Sequence, residues 1–243
     1  MRILLMALLL MTAARAEAWG EERVDLPTRP GVTQRVYITP AADPVATAIL
    51  FPGGDGVYAS MRQNFLVRIV PDLVRSRVSV VVVDAPSDQA HGMSWPFRQG
   101  ADHARDIGAV IDFAKTRSPT PMWLIGTSTG TISAANGAAA AGTRIHGLIL
   151  TSSVWARGMA AVPLERIVVP VLIVHNRDDG CQESPFAGVT SGMARLTAAP
   201  VRQFLPVSGG SSRSGACQAL SPHGYWGIEQ LVVPPMVNFI EAH

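Results

Sequence analysis

The pentapeptide Gly126-Thr127-Ser128-Thr129-Gly130 holds the side chain best placed to do chemistry. It follows the apolar run 121–125 and precedes a stretch rich in Ala and Gly. A serine between a strand and a helix is lifted off the sheet edge on a sharp turn, and the flanking glycines let the two backbones close around it. The start of the helix adds free N–H groups and the positive end of its dipole at the same point. A serine held in this way can attack an acyl carbon. The pattern is short enough to arise by chance in a chain with 22 glycines, so the rest of the sequence must supply its partners.

Serine is a poor nucleophile at neutral pH. It needs a base to take its proton, and the base needs an acid to fix its tautomer. Asp179, just past the apolar strand 171–174, is the expected acid. Asp-Asp-Gly is also ordinary turn chemistry, and Asp178 takes the role if the register is off by one. His223 is the expected base, because it follows the acid and the next strand in the order Ser, Asp, His. Among the other histidines, His103 falls in a helix, His146 begins a strand and His243 is terminal. His175 suits a structural strand-end role, while His91 is a loop competitor. Because the base must be neutral, activity should fall at acid pH.

A tetrahedral intermediate also needs N–H donors for its oxygen, each contributing about 3 kcal/mol to lowering the barrier. The Thr129 N–H follows the nucleophile directly. The second donor is expected from Gly53-Gly54-Asp55-Gly56, with Gly54 preferred over Asp55. A plain Gly-rich turn is the alternative. A phosphate cradle is disfavoured, because no Gly-Lys-Ser/Thr follows.

The elements that must position these groups alternate along the chain. Strands are expected at 33–39, 46–51, 78–83, 121–125, 145–150, 169–174 and 201–207, the first of them antiparallel. Helices are expected at 100–117, 129–141, 186–198 and 228–242, the last interrupted by Pro234-Pro235. This rhythm predicts an α/β fold, with a mostly parallel sheet covered on both faces in three α/β/α layers. Residues 151–168 are too few for a substantial lid. Tyr58, Trp95, Trp155, Met159 and Trp226 fall near strand-end loops, where they would line an acyl or alcohol pocket or serve packing.

Composition narrows the setting. A hydrophobic fraction of 48% and a charged fraction of 16% suit a sizeable core rather than disorder. A net charge of +2 without a basic run argues against nucleic acid. No His or Cys spacing fits a metal site, and no cofactor is expected. Arg2, the apolar run 3–11 and small-x-small patterns at 14–16 and 16–18 predict a signal peptide over 1–18, with one domain over 19–243. A buried first helix is the alternative. No other stretch is apolar and long enough for a membrane span. Export would expose Cys181 and Cys217 to oxidation, with one internal pairing available; two free thiols are the alternative.

The chain resembles the serine hydrolases of the α/β-hydrolase superfamily over roughly residues 33–240. The likeness rests on Pro52-Gly53-Gly54 after an early strand, the 126–130 turn, His175-Asn176-Arg177-Asp178-Asp179 and the late His223. It departs at Phe51-Pro52, where many members have His-Gly; only backbone is needed there. The resemblance implies Ser128 as nucleophile, His223 as base and Asp179 as acid. With the signal peptide read above, the expectation is an exported enzyme that cleaves small or polymeric carboxylic esters through an acyl-enzyme. Acyl transfer, thioester or peptide hydrolysis, and non-catalytic binding on the same fold are the alternatives. The resemblance also makes the loops bearing Cys181 and Cys217 neighbours, so that a bridge would limit how far acid and base drift apart.

Overall fold

The computed structural model describes residues 21–155 and 157–243, and the expected signal peptide at 1–18 lies outside them. Eight strands form one sheet: β1 Glu22–Arg29, β2 Val32–Thr39, β3 Ala46–Phe51, β4 Val78–Val83, β5 Met122–Thr127, β6 Gly147–Thr151, β7 Val171–Asn176 and β8 Arg202–Val207. Their order is β1-β2-β4-β3-β5-β6-β7-β8. Neighbours from β4 to β8 pair in parallel, whereas β1 with β2 and β2 with β4 are antiparallel.

The central strands are buried along their whole length because both faces are covered. Side chains alternate between two cores. Ile49, Val81, Leu124, Leu150 and Ile173 face one layer; Leu50, Val82, Ile125, Ile149 and Leu172 face the other. Helices α1 Phe65–Arg68 and α2 Val70–Arg75 share the second face with α7 Val233–Ala242. The short α3 Trp95–Gln99 leads into α4 Ala101–Arg117. With α5 Gly130–Ala141 and α6 Gly188–Arg195, α4 covers the first face, burying Ile107, Val110, Ile111 and Ala114. Among the described residues, the segment between β6 and β7 holds the 3-10 turn Leu164–Arg166 and no inserted lid.

The structure adds elements that the pattern did not mark. Strand β1 carries Pro27 and four charged residues and lies at the sheet edge, where proline costs no interior ladder bond. Helices α1, α2 and α3 are too short to show a periodic stripe. The helix expected over 186–198 is confined to α6. The last helix begins at Val233, which puts Pro234 and Pro235 in a first turn whose N–H groups have no helical partner to lose.

Candidate active site

Ser128 sits at the carboxyl end of β5 with φ of 53°. That left-handed backbone is strained for a residue with a Cβ. It is held from both sides: the Ser128 N–H donates to the Thr151 carbonyl at 3.0 Å, and the Ser128 carbonyl accepts from Thr131 N–H at 3.0 Å. The two flanking glycines are there for space. A Cβ on Gly130 would lie 1.9 Å from the Phe51 carbonyl oxygen, and one on Gly126 would lie 2.6 Å from that of Gly130.

Asp179 and His223 come from the loops after β7 and β8, at the same sheet edge. His223 Nδ1 lies 2.8 Å from Asp179 Oδ2. This bond fixes the proton on Nδ1 and leaves the Nε2 lone pair available. Among the described residues, buried Nε2 has no hydrogen-bond partner. Ser128 and His223 line one cavity, of about 380 Å³. Asp178, the alternative acid, turns away, its Oδ2 accepting from the Gly209 N–H at 2.6 Å.

Burial of the Asp179 carboxyl opposes its ionisation. The donors around it outweigh that cost and hold it well below the usual carboxylate range. They are His175, His223 and the Cys181 N–H. The last donates to Oδ1 at 2.9 Å, and His175 Nε2 stands 3.5 Å from Oδ2. Ser184 donates from Oγ to Oδ2 at 2.9 Å, and its carbonyl lies 2.8 Å from His175 Nε2. His175 thus braces the acid from inside β7. His91 is exposed and takes no part in this network.

The loop bearing His223 is tied down by its backbone. Ser152 Oγ donates to the His223 carbonyl at 2.7 Å, and Asn176 Nδ2 donates to that of Pro222 at 3.0 Å. Tyr225 is fully buried; its hydroxyl donates to the Val174 carbonyl at 2.9 Å and accepts from Ser152 N–H at 3.0 Å. Ser152 and Tyr225 have positive φ, like Ser128. Cys181 and Cys217 are joined, so a covalent link connects the loop of the acid to the segment leading to His223.

The Gly-rich loop after β3 borders the nucleophile. A Cβ on Gly53 would come within 2.8 Å of Ser128 Cβ and 3.4 Å of its Oγ. The Gly54 carbonyl accepts from Thr129 Oγ1 at 2.8 Å and Arg98 Nη2 at 3.1 Å. Arg98 is buried and also donates from Nη1 to Ser133 Oγ at 2.8 Å. Burial pushes its guanidinium down to about 10, against the opposing pull of Asp55. The N–H groups of Gly54 and Thr129 bond to no described residue, so both remain available to a ligand.

None of the five large side chains named as pocket candidates lines this cavity. Trp155 and Met159 are buried in the first core, against which Trp95 also packs. Tyr58 stacks on Tyr37, and Trp226 packs against the guanidinium groups of Arg68 and Arg213. Each is taken up in packing instead.

No family model matches the sequence, and no curated protein does. Solved structures do match. A serine hydrolase homologue from Coxiella burnetii aligns with a TM-score of 0.65 at 20% identity, over 89% of this chain and 96% of its own. Est1E from Butyrivibrio proteoclasticus, solved with ferulic acid, gives 0.68 at 15%, over 90% and 98%. XC6422 from Xanthomonas campestris, described as a serine hydrolase without lid, gives 0.64 at 17%, over 88% and 94%. The fold is that of the α/β hydrolases. At these identities the likeness concerns the fold and nothing finer. Within the α/β-hydrolase fold, Ser152, Ser184, Tyr225 and Arg98 escaped sequence reading, since single polar residues in loops or a short helix carry no periodic signal. Among the described residues no three His, Cys, Asp or Glu side chains cluster to hold a metal, and no helix is long and apolar enough to cross a membrane.

Proposed function

We propose that this chain is an exported serine hydrolase that cleaves carboxylic esters, with residues 19–243 as a single domain. One observation carries the reading: the Asp179–His223 pair leaves Nε2 unpartnered in the cavity that also holds Ser128 on its strained turn. Ser128 Oγ attacks the acyl carbon while His223 takes its proton. Thr129 and Gly54 N–H groups stabilise the oxyanion. His223 returns the proton to the leaving alcohol, and water then releases the acid from the acyl-enzyme. Asp179 orients His223 and offsets its charge. The disulfide fits export to an oxidising compartment.

Labelling with a fluorophosphonate tests this. Wild type should be modified at Ser128 and hydrolyse p-nitrophenyl acetate. Ser128→Ala should do neither, with activity down by at least about 10⁴-fold. A folded wild type that resists the label would overturn the assignment and favour a binding protein.

A further inference from the structure

The walls of the cavity above Ser128 are rich in unspent polar groups. Asn64 accepts the Leu66 N–H on Oδ1 at 3.0 Å, which leaves Nδ2 free to donate. Gln218 accepts the Gly215 N–H on Oε1 at 3.1 Å, which leaves Nε2 free. Ser214 Oγ accepts from Leu220 N–H at 3.1 Å and keeps its own proton. The Gln63 carboxamide bonds to no described residue, and Asp55 commits only Oδ1, to Val57 N–H and Ser60 Oγ. The cavity therefore presents several donors and a few acceptors, spaced around one opening.

Charge decides what they can hold. No Lys or Arg lines the cavity among the described residues. Arg68, behind its wall, is occupied by the carbonyls of Gln63, Ala219 and Gly224 and by Glu229. An anionic ligand would meet the Asp55 carboxylate, whose charge is felt by Arg98, a buried side chain that is not part of the cavity lining. A long aliphatic chain could lie on the apolar part of the wall, at Met61, Phe65, Ala219 and Leu220, but would strand the amides without partners. Hydroxyl groups, which donate and accept together, match what is left.

We infer that the alcohol half of the substrate is a neutral polyhydroxylated group such as a sugar, carrying a short acyl chain. The inference rests on the hydrolase reading above. In the reaction, the bond between acyl carbon and sugar oxygen breaks, and the sugar hydroxyl leaves with the proton from His223. Water supplies the oxygen and hydrogen that release the short acid.

The experiment compares two acetates of similar size, an acetylated methyl glucoside and cyclohexyl acetate, on the full-length mature protein. Wild type should favour the glucoside in kcat/KM by at least tenfold. The double variant Gln63→Leu, Gln218→Leu should cut that ratio about tenfold, and a matching circular dichroism spectrum would establish that it folds. Hydrolysis of both esters without preference, or a preference for cyclohexyl acetate, would overturn this inference while leaving an esterase. No turnover of either ester, nor of p-nitrophenyl acetate, would remove the hydrolase reading and this inference together.

Discussion

The Ser184 hydroxyl donates to Asp179 Oδ2 at 2.9 Å, with its oxygen 3.0 Å from His223 Nδ1. It sits at the junction of the proposed acid and base and is itself fully buried. Ser184→Ala removes one donor from a buried carboxylate, a bond worth about 1.5–3 kcal/mol. We expect kcat/KM for p-nitrophenyl acetate to fall about tenfold and urea stability to drop by about 2 kcal/mol. Unchanged values for both would show that the hydroxyl is dispensable.

Arg98 should act through the loop it holds. Its Nη2 fixes the Gly54 carbonyl, and so the backbone that carries the proposed oxyanion donor. Arg98→Met should lower kcat about tenfold or more with a smaller change in KM, because the interaction matters most when charge develops. Arg98→Lys should not restore activity, since one ammonium lacks the fork that spans Gly54 and Ser133. Equal losses in kcat and stability across unrelated core variants would reduce Arg98 to a packing residue.

Acid should destabilise the fold through His103. Burial, reinforced by the charges of Arg98 and Arg29, pushes its imidazole from 6.5 down to about 3. The unfolded chain therefore takes up a proton below pH 6.5 that the folded chain refuses until about pH 3. Stability must fall across that window as pH drops, by up to about 1.4 kcal/mol per pH unit. Urea midpoints between pH 7 and 4 should show the slope, and His103→Leu should flatten it. Asp179, whose ionisation is favoured in the fold, adds its own loss only below the ordinary carboxylate range near 3.8.

The disulfide should matter more to turnover than to helix and strand content. It closes a loop with a sequence separation of 36 residues, for which chain entropy gives about 3–4 kcal/mol. Reduction, or Cys217→Ser, should lower kcat/KM several-fold while the far-ultraviolet circular dichroism stays near that of the oxidised protein. Full activity after reduction would separate the bridge from the site.

Wherever a long apolar run or a repeating turn announced an element, the sequence was readable. The uniformly buried β3, β4, β5 and β7 are such runs, and α4 shows its stripe. The order Ser, Asp, His followed from the same elements, because parallel strands deliver their loops to one edge. The cavity lining did not. Trp155 and Trp226 sit in the loops where pocket aromatics were sought, yet packing turned them elsewhere, and no one-dimensional pattern records the direction a loop side chain takes. Ser184 and Ser152 were invisible for a related reason: Ser152 meets His223 and Tyr225 from another strand's loop and Ser184 meets Asp179 within its own, and a lone serine looks the same whether it braces a carboxylate or faces solvent.

The link between Cys181 and Cys217 spans β8 and the exposed loop that follows it. A protease that cuts that loop once before Cys217 therefore cannot detach the carboxyl-terminal fragment. A molecule nicked there would still hold residue 223 against residue 179.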